Sequence, residues 1–551
     1  MAEPILRVIP LGGLGEIGKN MMLFEYGDDC IAIDCGLMFP AEDMLGVDLV
    51  IPDISYLIDN RKKLHAIFIT HGHEDHTGAL PYILRQMNVP VYATPLAHGL
   101  ISVKLKEARL LQSTDLREIR VGDSVEQGPF TVEPFQVAHS IPDSVGYAIR
   151  TPVGTCIHTG DFKLDHTPVM GQATDLSKLA QYGDEGVILL CADSTYAEIP
   201  GYTPSEQIVG DSLFRFIAKA EGRVIVTTFA SLIARVQQVF DAAEACGRRV
   251  FITGRTMIDN TNMAIERGYL RAPEGMLVSV RELPNVPHEK LVIVTTGSQG
   301  EPTSALTRMA NQDHQHVKIV EGDLVIMSAS AVPGNEALVH RTVDNLFKLG
   351  ANVLYNRIAD VHVRGHAAAE ELKILHALVK PRYFVPVHGE YRHMVLHSQI
   401  AEALDQGTDT FIMTDGDVLE IDSAGEANYG ERIECDYVYV DGLGVGDIDH
   451  VVLRDRKHLA SDGMVVVILP MSKNTSHLTG RPEVVSRGFV DMDESEDLIE
   501  RTRDHVAHGL SAEDHPLEWG AVQTEVKESV AKFLYDETRR RPMVLPVRVE
   551  V

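Results

Sequence analysis

The chain has 551 residues and a mass of 60.7 kDa. It contains 44% hydrophobic and 23% charged residues, a globular composition that excludes a disordered, collagen-like or coiled-coil chain. Its formal net charge of −29 excludes a broadly basic coat protein for nucleic acid, but not an enzyme with a local basic groove. No apolar run is long enough to span a membrane. The amino-terminal sequence predicts no secretory signal, and six scattered cysteines predict reduced thiols in a cytoplasmic protein.

Residues 1–205 alternate short apolar runs with turns. The runs predict strands at 31–34, 66–70, 131–137, 155–158 and 186–190. Helical patterns cover 77–87 and 95–111. Before these, the segment 13–18 matches G-x-G-x-x-G, but a dinucleotide fingerprint must open a helix between two strands. Because the next strands are predicted at about 21 and 30, no helix fits between them. The better interpretation is a glycine turn that brings the backbone close to the edge of the sheet where the candidate metal ligands described below lie.

From residue 206 the pattern changes to alternating helices and strands, which predicts a parallel sheet. The predicted helices are 206–220, 231–246 and 335–349. The predicted strands are 223–227, 249–252, 291–295, 324–327 and 352–354. Short apolar runs like those of residues 1–205 predict further strands at 382–388 and 410–413. The tail from about 446 has a predicted strand at 464–469 and a predicted helix at 520–540.

The strongest chemical signal is His71-Gly-His73-Glu-Asp75-His76, directly after the predicted strand 66–70. Three imidazoles and a carboxylate in six residues suit two adjacent metal ions, because alternate side chains can reach one ion and the Asp-His pair the other. The alternative is a solvated polar loop, which the density of histidines disfavours.

Four further candidates follow the ends of predicted strands: Asp34, His139, Asp161 and His388. Ligands at strand ends converge on one edge of a sheet, where a rigid scaffold can hold them. Each alone would more often be a turn residue, but together with the histidine-rich segment they form a set rich enough for two ions. His158 and His166 flank Asp161 without this placement and are interpreted as structural or as supporting the ligands from behind.

These residues resemble a known family. The segment 71–76, with Asp34 before it and His139 and Asp161 after it, resembles the metallo-β-lactamase superfamily. The segments 192–195, 363–367 and 387–390 resemble its β-CASP nucleic-acid branch. The segments 10–18, 228–231 and 540–546 narrow the resemblance to the ribonuclease J family, over essentially the whole chain.

The resemblance implies a metallo-β-lactamase αββα sandwich, an inserted parallel-sheet β-CASP domain and a small α+β C-terminal domain. The catalytic domain would comprise 1–205 and 360–445, the insert 206–359 and the C-terminal domain 446–551. The independent changes of pattern at 206 and after 360 agree with this division. Relatives use the tail for self-association, so a homodimer or homotetramer is expected.

The resemblance also implies a division of the metal ligands. One ion would be held by His71, His73 and His139, and the other by Asp75, His76 and His388. Asp161 would bridge both ions, and Asp34 would orient a ligand histidine from behind. Zinc is the expected metal, with manganese as the alternative for this nitrogen and oxygen set.

The implied reaction is attack of a hydroxide, held between two metal ions, on a phosphodiester. His366 is the candidate proton donor to the leaving 3′-oxygen, with Asp193 fixing its tautomer and raising its pKa. The resemblance implies that Asp75 is a catalytic residue as well as a metal ligand. The alternative for His366 is a histidine of the ligand loops with no role in proton transfer.

The family binds substrate phosphate in turns that match Ser231, Ser328, Ser330, His362, Arg364, Gly365 and His366. Where this chain has Arg364 the family commonly has serine, so the geometry of the phosphate site and its selectivity for a 5′-monophosphate are open. The alternative is that Arg364 pairs with a carboxylate. A second, structural ion is expected from the match of Gly46, Asp48 and Asp441 to calcium positions, the alternative being solvated carboxylates.

The leading hypothesis is a 5′→3′ exoribonuclease with endoribonuclease activity, acting in rRNA maturation and mRNA decay with other RNA-decay proteins. The substrate would be single-stranded RNA, with a 5′-monophosphate preferred. The alternatives are a β-CASP DNA nuclease, which lacks recognition of the ribose 2′-OH, and a small-ester or thioester hydrolase, which needs no large insert. An inactive RNA-binding scaffold is the non-enzyme alternative.

Cations for RNA binding are predicted in the insert, because its 16 Lys and Arg balance 16 Asp and Glu over 206–359 while the whole chain is acidic. The candidates are Arg235, Arg248, Arg249, Arg255, Arg281 and Arg308.

Overall fold

The computed structural model describes residues 4–41, 43–60, 63–332, 335–442, 444–472, 478–491, 494–511 and 518–550. The chain divides into two units. The larger comprises Met1–Phe39 with Val50–Val438, and the smaller Pro40–Leu49 with Tyr439–Val551. All six cysteines are free thiols.

Two mixed sheets pack face to face in the larger unit. The strands of the first sheet are, in spatial order, Ala427–Tyr429, Leu419–Ile421, Leu6–Gly12, Met21–Tyr26, Asp29–Ile33, Lys63–Phe68, Val91–Ala93 and Leu116–Glu118. Those of the second are Asp409–Thr410, Tyr383–Val387, Leu189–Asp193, Gly154–His158, Val145–Thr151, Phe130–Gln136 and Val125–Gln127. One apolar core joins them, in which Phe24 and Phe68 of the first sheet lie with Tyr147 and Val385 of the second.

Helices flank this pair of sheets. The outer face of the second sheet is covered by Leu176–Glu185, Ala369–Val379 and Tyr391–Ala403. Beside the first sheet are Ser55–Asp59, Glu74–Thr77, Leu80–Gln86 and Pro95–Glu107. This αββα arrangement confirms the predicted sandwich.

A five-stranded parallel sheet confirms the parallel pattern predicted from residue 206. Its strands lie in the order Arg249–Thr253, Leu291–Thr295, Val224–Thr227, Leu324–Met327 and Asn352–Tyr355. One face is covered by helices Gln207–Lys219, Ile233–Ala245 and Arg255–Glu266, and the other by Ala305–Ala310 and Glu336–Lys348. Two single-turn 3₁₀ helices, Leu283–Asn285 and His288–Lys290, precede the second strand of this order.

Several predicted elements differ in extent from the observed ones: the predicted helix 95–111 ends at Glu107, and the predicted strand 186–190 runs over Leu189–Asp193. The predicted helix 77–87 is interrupted at Gly78. A Cβ atom at this position would lie 2.3 Å from the Leu37 side chain, so only glycine allows the backbone to approach Leu37 this closely. The predicted strand 410–413 ends at Thr410, because Thr414 donates two hydrogen bonds to the Asp417 carboxylate and the chain turns.

The smaller unit has a three-stranded sheet in the order Glu483–Arg487, Met464–Met471 and Met543–Glu550. Helices Glu496–Ser511 and Trp519–Thr538 bury one face of this sheet, and helix His450–Asp462 precedes it. On the last strand the side chains of Leu545 and Val549 are exposed. Among all helices in the described ranges, none combines the length and apolar character needed to cross a membrane.

A buried ion network ties the inserted sheet to both of its connections. Arg235, on helix Ile233–Ala245, is 1% exposed. Its guanidinium donates to the Glu206 carboxylate, the Ser328 hydroxyl and, at 3.1 Å, the Val361 carbonyl. Because Glu206 precedes the sheet and Val361 follows it, one side chain fixes where the chain enters and where it leaves.

Replacing Arg235 by alanine should destabilise the protein by about 3–5 kcal/mol, because the Glu206 carboxylate would stay buried without its main cation. Arg271→Ala is the matched control, since the ion pair of Arg271 with Glu244 is exposed and such pairs contribute about 0–1 kcal/mol. Thermal unfolding followed by circular dichroism measures both variants. Equal shifts of the melting temperature would contradict the structural role of Arg235.

Candidate metal centre

Three predicted site residues lie at one edge of the second sheet because three of its strands run parallel. These strands are Gly154–His158, Leu189–Asp193 and Tyr383–Val387. Since parallel strands end at the same edge, Asp161, Asp193 and His388 meet there. His388 adopts a left-handed backbone conformation with φ of 51°, an uncommon conformation for a residue other than glycine.

The first sheet contributes Asp34 and the segment 71–76 in the same way, whereas His139 follows Phe130–Gln136 of the second sheet, a strand that pairs antiparallel with Val145–Thr151. Asp29–Ile33 and Lys63–Phe68 run parallel, so Asp34 and the histidine-rich segment follow neighbouring strand ends. Asp34 also has a left-handed φ, of 64°. Its carboxylate accepts hydrogen bonds from the Thr70 backbone N–H at 2.8 Å and the Thr70 hydroxyl at 2.9 Å. This contact fixes the segment immediately before His71.

The first ligand cluster contains three imidazoles and one carboxylate. His73 Nδ1 lies 3.0 Å from His71 Nε2 and 3.2 Å from His139 Nε2. Asp161 Oδ2 lies 3.6 Å from His71 Nε2 and 3.7 Å from His139 Nε2. The four ligand atoms therefore surround one position.

The second cluster shares Asp161 with the first. His76 Nε2 lies 3.3 Å from Asp161 Oδ2 and 3.6 Å from Asp75 Oδ2. His388 Nε2 lies 3.2 Å from Asp75 Oδ2 and 3.8 Å from Asp161 Oδ2. One oxygen of Asp161 thus faces both clusters, which is where a bridging ligand has to be.

The donor sets of both clusters fit divalent metal ions. In each, the ligand atoms all lie within 4.8 Å of one another, and ligand atoms of a tetrahedral zinc site are about 3.3–3.6 Å apart. Burial lowers the pKa of His71 and His139, and lowers the pKa of His73 to about 4, which leaves these imidazoles neutral with a lone pair to donate. Asp161 Oδ1 is buried and has no hydrogen-bond partner among the described residues.

The second cluster has the opposite electrostatic balance. Burial alone would lower the pKa of His76 and His388, but Asp161 and Asp75 outweigh it, raising the pKa of His76 and bringing that of His388 to about 9. Burial would raise the pKa of Asp161, yet the surrounding imidazoles hold it well below its usual range. These carboxylates are therefore ionised, and a buried negative charge is stable only with positive charge close to it.

Hydrogen bonds from residues outside the clusters orient three of the candidate ligand imidazoles. His76 Nδ1 lies 2.8 Å from Asp34 Oδ2, as expected for Asp34. His139 Nδ1 lies 2.8 Å from the Gly365 carbonyl, and a Cβ atom at Gly365 would come within 2.8 Å of the His139 ring. His388 Nδ1 lies 2.7 Å from the Thr195 hydroxyl. The orienting roles of Gly365 and Thr195 were missed because the sequence around a turn residue does not indicate which distant imidazole it will contact.

His366 and Asp193 lie together, as predicted. His366 Nδ1 is 2.7 Å from Asp193 Oδ2 and 3.8 Å from Asp161 Oδ2. Burial lowers the pKa of His366, but Asp193 and Asp161 outweigh it, and the net shift is upward. Asp161, Asp193, His366 and His388 also come close enough to form a third ligand group, so geometry alone permits His366 to be a ligand.

The two histidines interpreted as structural lie outside the ligand clusters. His158 Nδ1 accepts a hydrogen bond from the Gly160 N–H at 3.1 Å, and burial lowers its pKa to about 4. His166 is exposed. Neither belongs to a group of potential ligands among the described residues. The glycine turn lies beside the site, because its strand Leu14–Gly15 pairs with Gly389–Glu390, directly after His388.

The predicted phosphate residues have different surroundings. Ser328 is fully buried, and its hydroxyl donates to the Val361 carbonyl at 2.6 Å while accepting from Arg235. Its surroundings therefore do not support phosphate binding. Ser330 is partly exposed and its hydroxyl accepts from the Asn356 amide at 2.8 Å. Ser231 is also partly exposed.

The turn before His366 holds the other predicted phosphate residues. His362 Nδ1 is buried without a hydrogen-bond partner among the described residues, and burial together with Arg235 lowers the pKa of His362 to about 3. Arg364 is exposed, and its guanidinium carbon lies 5.2 Å from the centroid of the Tyr196 ring. In the described residues no carboxylate forms an ion pair with it, so the predicted alternative of a carboxylate partner is not observed.

Several of the arginines predicted to bind RNA form hydrogen bonds or ion pairs within the protein instead. Arg235 is buried in the ion network, and Arg248 donates to the Gly222 and Ala220 carbonyls; the prediction that these two contact RNA is therefore wrong. Arg249 and Arg308 form ion pairs with Glu282 and Asp313. Arg255 and Arg281 are exposed.

The predicted calcium ligands lie in the smaller unit. Asp48 Oδ2 accepts from the Gly442 N–H at 2.8 Å, and Asp441 pairs with Arg456 at 2.7 Å. A Cβ atom at Gly46 would lie 2.7 Å from the same guanidinium. Calcium binding stays a prediction, and Arg456 already supplies positive charge at this place.

Family models match four segments of the chain. The model described as the metallo-β-lactamase superfamily matches residues 14–226, and the ribonuclease J β-CASP domain matches 221–346. The Zn-dependent metallo-hydrolase RNA specificity domain matches 352–413, and the ribonuclease J C-terminal domain matches 451–551. Fold and site together define a metallo-β-lactamase enzyme with an inserted β-CASP domain.

Curated relatives resemble the whole chain. Ribonuclease J2 of Bacillus subtilis is 41% identical over 549 residues, covering 99% of this chain and 99% of that protein. Ribonuclease J of Thermus thermophilus is 44% identical, covering 99% of this chain and 95% of that protein. The chain belongs to the ribonuclease J family and is a metal-dependent ribonuclease. The domain limits at 205/206, 359/360 and 445/446 stay predictions.

A solved structure agrees with the fold. A protein of unknown function from Enterococcus faecalis matches with a TM-score of 0.54 and 17% identity, covering 76% of this chain and all of that one. At this identity the likeness concerns the fold alone.

Replacing Asp161 by alanine should remove both metal ions, and replacing His76 by alanine should remove one, because the first side chain faces both clusters and the second only one. Metal content of the purified variants, measured by mass spectrometry, checks this. His158→Gln is the matched control, a buried histidine beside Asp161 that should keep full metal content. Full metal content in Asp161→Ala would contradict the bridging assignment.

Proposed function

We propose that the protein hydrolyses single-stranded RNA from the 5′ end toward the 3′ end, and also cuts internally, in RNA maturation and decay. The observation that carries the proposal is the single Asp161 oxygen facing two complete ligand clusters. Two divalent ions, when bound, supply water of lowered pKa and stabilise negative charge on the phosphate. Zinc is the favoured metal and manganese the alternative.

The proton for the leaving 3′-oxygen comes from His366 in this proposal. Because His366 Nδ1 is engaged with Asp193 at 2.7 Å, Nε2 is the atom that can give up a proton. Asp193 is itself held by Thr195, whose N–H and hydroxyl donate to Asp193 Oδ1 at 3.0 and 2.7 Å. This chain of contacts fixes the direction in which the imidazole presents Nε2.

The RNA strand is proposed to reach the metal centre through a narrow channel in the seam between the inserted domain and the catalytic domain. The supporting features are the neutral balance of residues 206–359 in an acidic protein and the exposed side chains of Arg255 and Arg281. The partly exposed Ser231 and Ser330 and the turn 362–366 are the proposed contacts to phosphate. A narrow path suits a single strand and excludes a duplex.

Replacing His366 by alanine should reduce the rate of RNA hydrolysis about 10²–10⁴-fold while metal content stays at the wild-type level, as expected for loss of a general acid. Single-turnover cleavage and metal analysis of the same preparation test this. A variant that loses a metal ion would show instead that His366 is a ligand, as the third group of close side chains permits.

Degradation should depend on the 5′ end of the RNA. A 5′-monophosphorylated single-stranded leader should be degraded, a blunt 5′ hairpin should resist attack, and a chelator should abolish both exonucleolytic and internal cleavage. Labelled RNA with monophosphate, triphosphate and hydroxyl ends, compared with DNA of the same sequence, measures this. Equal cleavage of every end, including blunt hairpins, would contradict entry of a single strand from its 5′ end.

Self-association is proposed through the smaller unit, in the form of a homodimer or homotetramer. Support comes from the outer face of its sheet, where Val466 lies beside Val485 and Leu545 in register and Leu545 is exposed. Leu545→Glu should lower the mass measured by light scattering, because a carboxylate cannot be buried there without a partner. Leu545→Met is the control, and an unchanged mass in Leu545→Glu would contradict this interface.

A further inference from the structure

Arg364 is an exposed cation that the fold holds in place. Its guanidinium carbon lies 5.2 Å from the centroid of the Tyr196 ring, and Lys163 Nζ donates to its backbone carbonyl at 3.5 Å. Stacking engages the flat face of a guanidinium and leaves its N–H donors, which lie in the plane, available at the edge. The ring therefore supports the guanidinium, and no carboxylate among the described residues pairs with it.

Two of the other arginines that lie over an aromatic ring differ from Arg364 in one respect, whereas Arg541, over the Tyr535 ring at 4.6 Å, resembles it in having no carboxylate partner in the described ranges. Arg382 stacks on Tyr383 at 5.1 Å and also pairs with Glu426 at 2.7 Å. Arg117 stacks on Tyr92 at 5.4 Å and also pairs with Asp115. Within the described ranges Arg364 has a ring but no carboxylate. Its charge is thus uncompensated, in a protein whose overall charge is strongly negative.

Tyr196 connects this cation to the reacting centre. Its ring contacts the His366 imidazole edge to face, with centroids 5.4 Å apart. The backbone of Tyr196 is anchored on both sides, by a bridge to Ala368 and by the Ile199 N–H, which donates to the Tyr196 carbonyl at 2.9 Å. The guanidinium and the proposed proton donor therefore share one ring as their common support.

We propose that Tyr196 is a positioning residue that holds the Arg364 guanidinium ready to bind a phosphate group of the RNA beside the scissile bond. The proposal rests on the proposed function and deepens it. A phosphate offers two oxygens to the forked donors of arginine, and its negative charge replaces the carboxylate that Arg364 lacks. The phosphate is either the 5′-terminal group or an internal diester.

Binding of fluorescent RNA to the full-length protein in chelator, measured by anisotropy, tests the proposal without requiring catalysis. Arg364→Gln should weaken binding about 10–100-fold, the loss expected for a charge-assisted contact, and should reduce the salt slope by about 0.7, as expected for one phosphate contact to a single strand. RNA with a 5′-monophosphate and with a 5′-hydroxyl distinguishes the two sources. Only the first is weakened if the terminal group is bound, and both are weakened if a diester is bound.

A double-mutant cycle tests the role of Tyr196. Tyr196→Leu should weaken RNA binding about 3–10-fold, Tyr196→Phe should restore it because the ring is kept, and Tyr196→Leu with Arg364→Gln should be no worse than Arg364→Gln alone. Arg382→Gln, at the stack with a carboxylate partner, is the matched control and should not change affinity. Fully additive losses, or wild-type affinity and salt slope in Arg364→Gln, would overturn the inference.

The failure of this inference and of the proposed function give different results. If the wild-type protein neither binds nor cleaves RNA, both are rejected. If the wild-type protein degrades RNA while Arg364→Gln binds it with unchanged affinity and salt slope, only the positioned guanidinium is rejected.

Discussion

A single buried carboxylate organises the molecule. Asp161 Oδ2 lies between 3.3 and 3.8 Å from nitrogen atoms of five imidazoles, which belong to His71, His76, His139, His366 and His388. A charge removed from water to this extent must be compensated by positive charge close by. The strand ends, turns and domain connections of the larger unit place these imidazoles around Asp161.

The metal centre and the inserted domain are mechanically joined. The chain leaving the inserted sheet is held at Val361 by the buried Arg235, and a few residues later the Gly365 carbonyl contacts the proposed ligand His139. His366 follows at once and contacts Asp193. A displacement of the insert would therefore move a proposed metal ligand and the proposed proton donor together, which couples the position of the inserted domain to the geometry of the candidate metal centre.

Much of the fold could be predicted from local pattern. The parallel sheet of the insert was found because alternating strands and helices bury continuous apolar runs, as in Val224–Thr227 and Leu291–Thr295. Helix Arg255–Glu266 was missed, because Asn260, Thr261 and Asn262 interrupt its apolar periodicity and two of these polar residues are buried against the rest of the domain. The break in the predicted helix 77–87, at Gly78 and Ala79, was also missed.

The sequence by itself determined which side chains could hold metal, because imidazoles and carboxylates clustered after strands have few other uses. It also indicated the family, through segments spread along the whole chain. Only the tertiary structure decided which cations pair with a carboxylate: Arg235 and Arg364 are the same residue type, yet one is buried against Glu206 and the other rests on Tyr196 with no carboxylate among the described residues. The physical reason is that burial and ion pairing arise between residues far apart in the chain, and no local pattern encodes them.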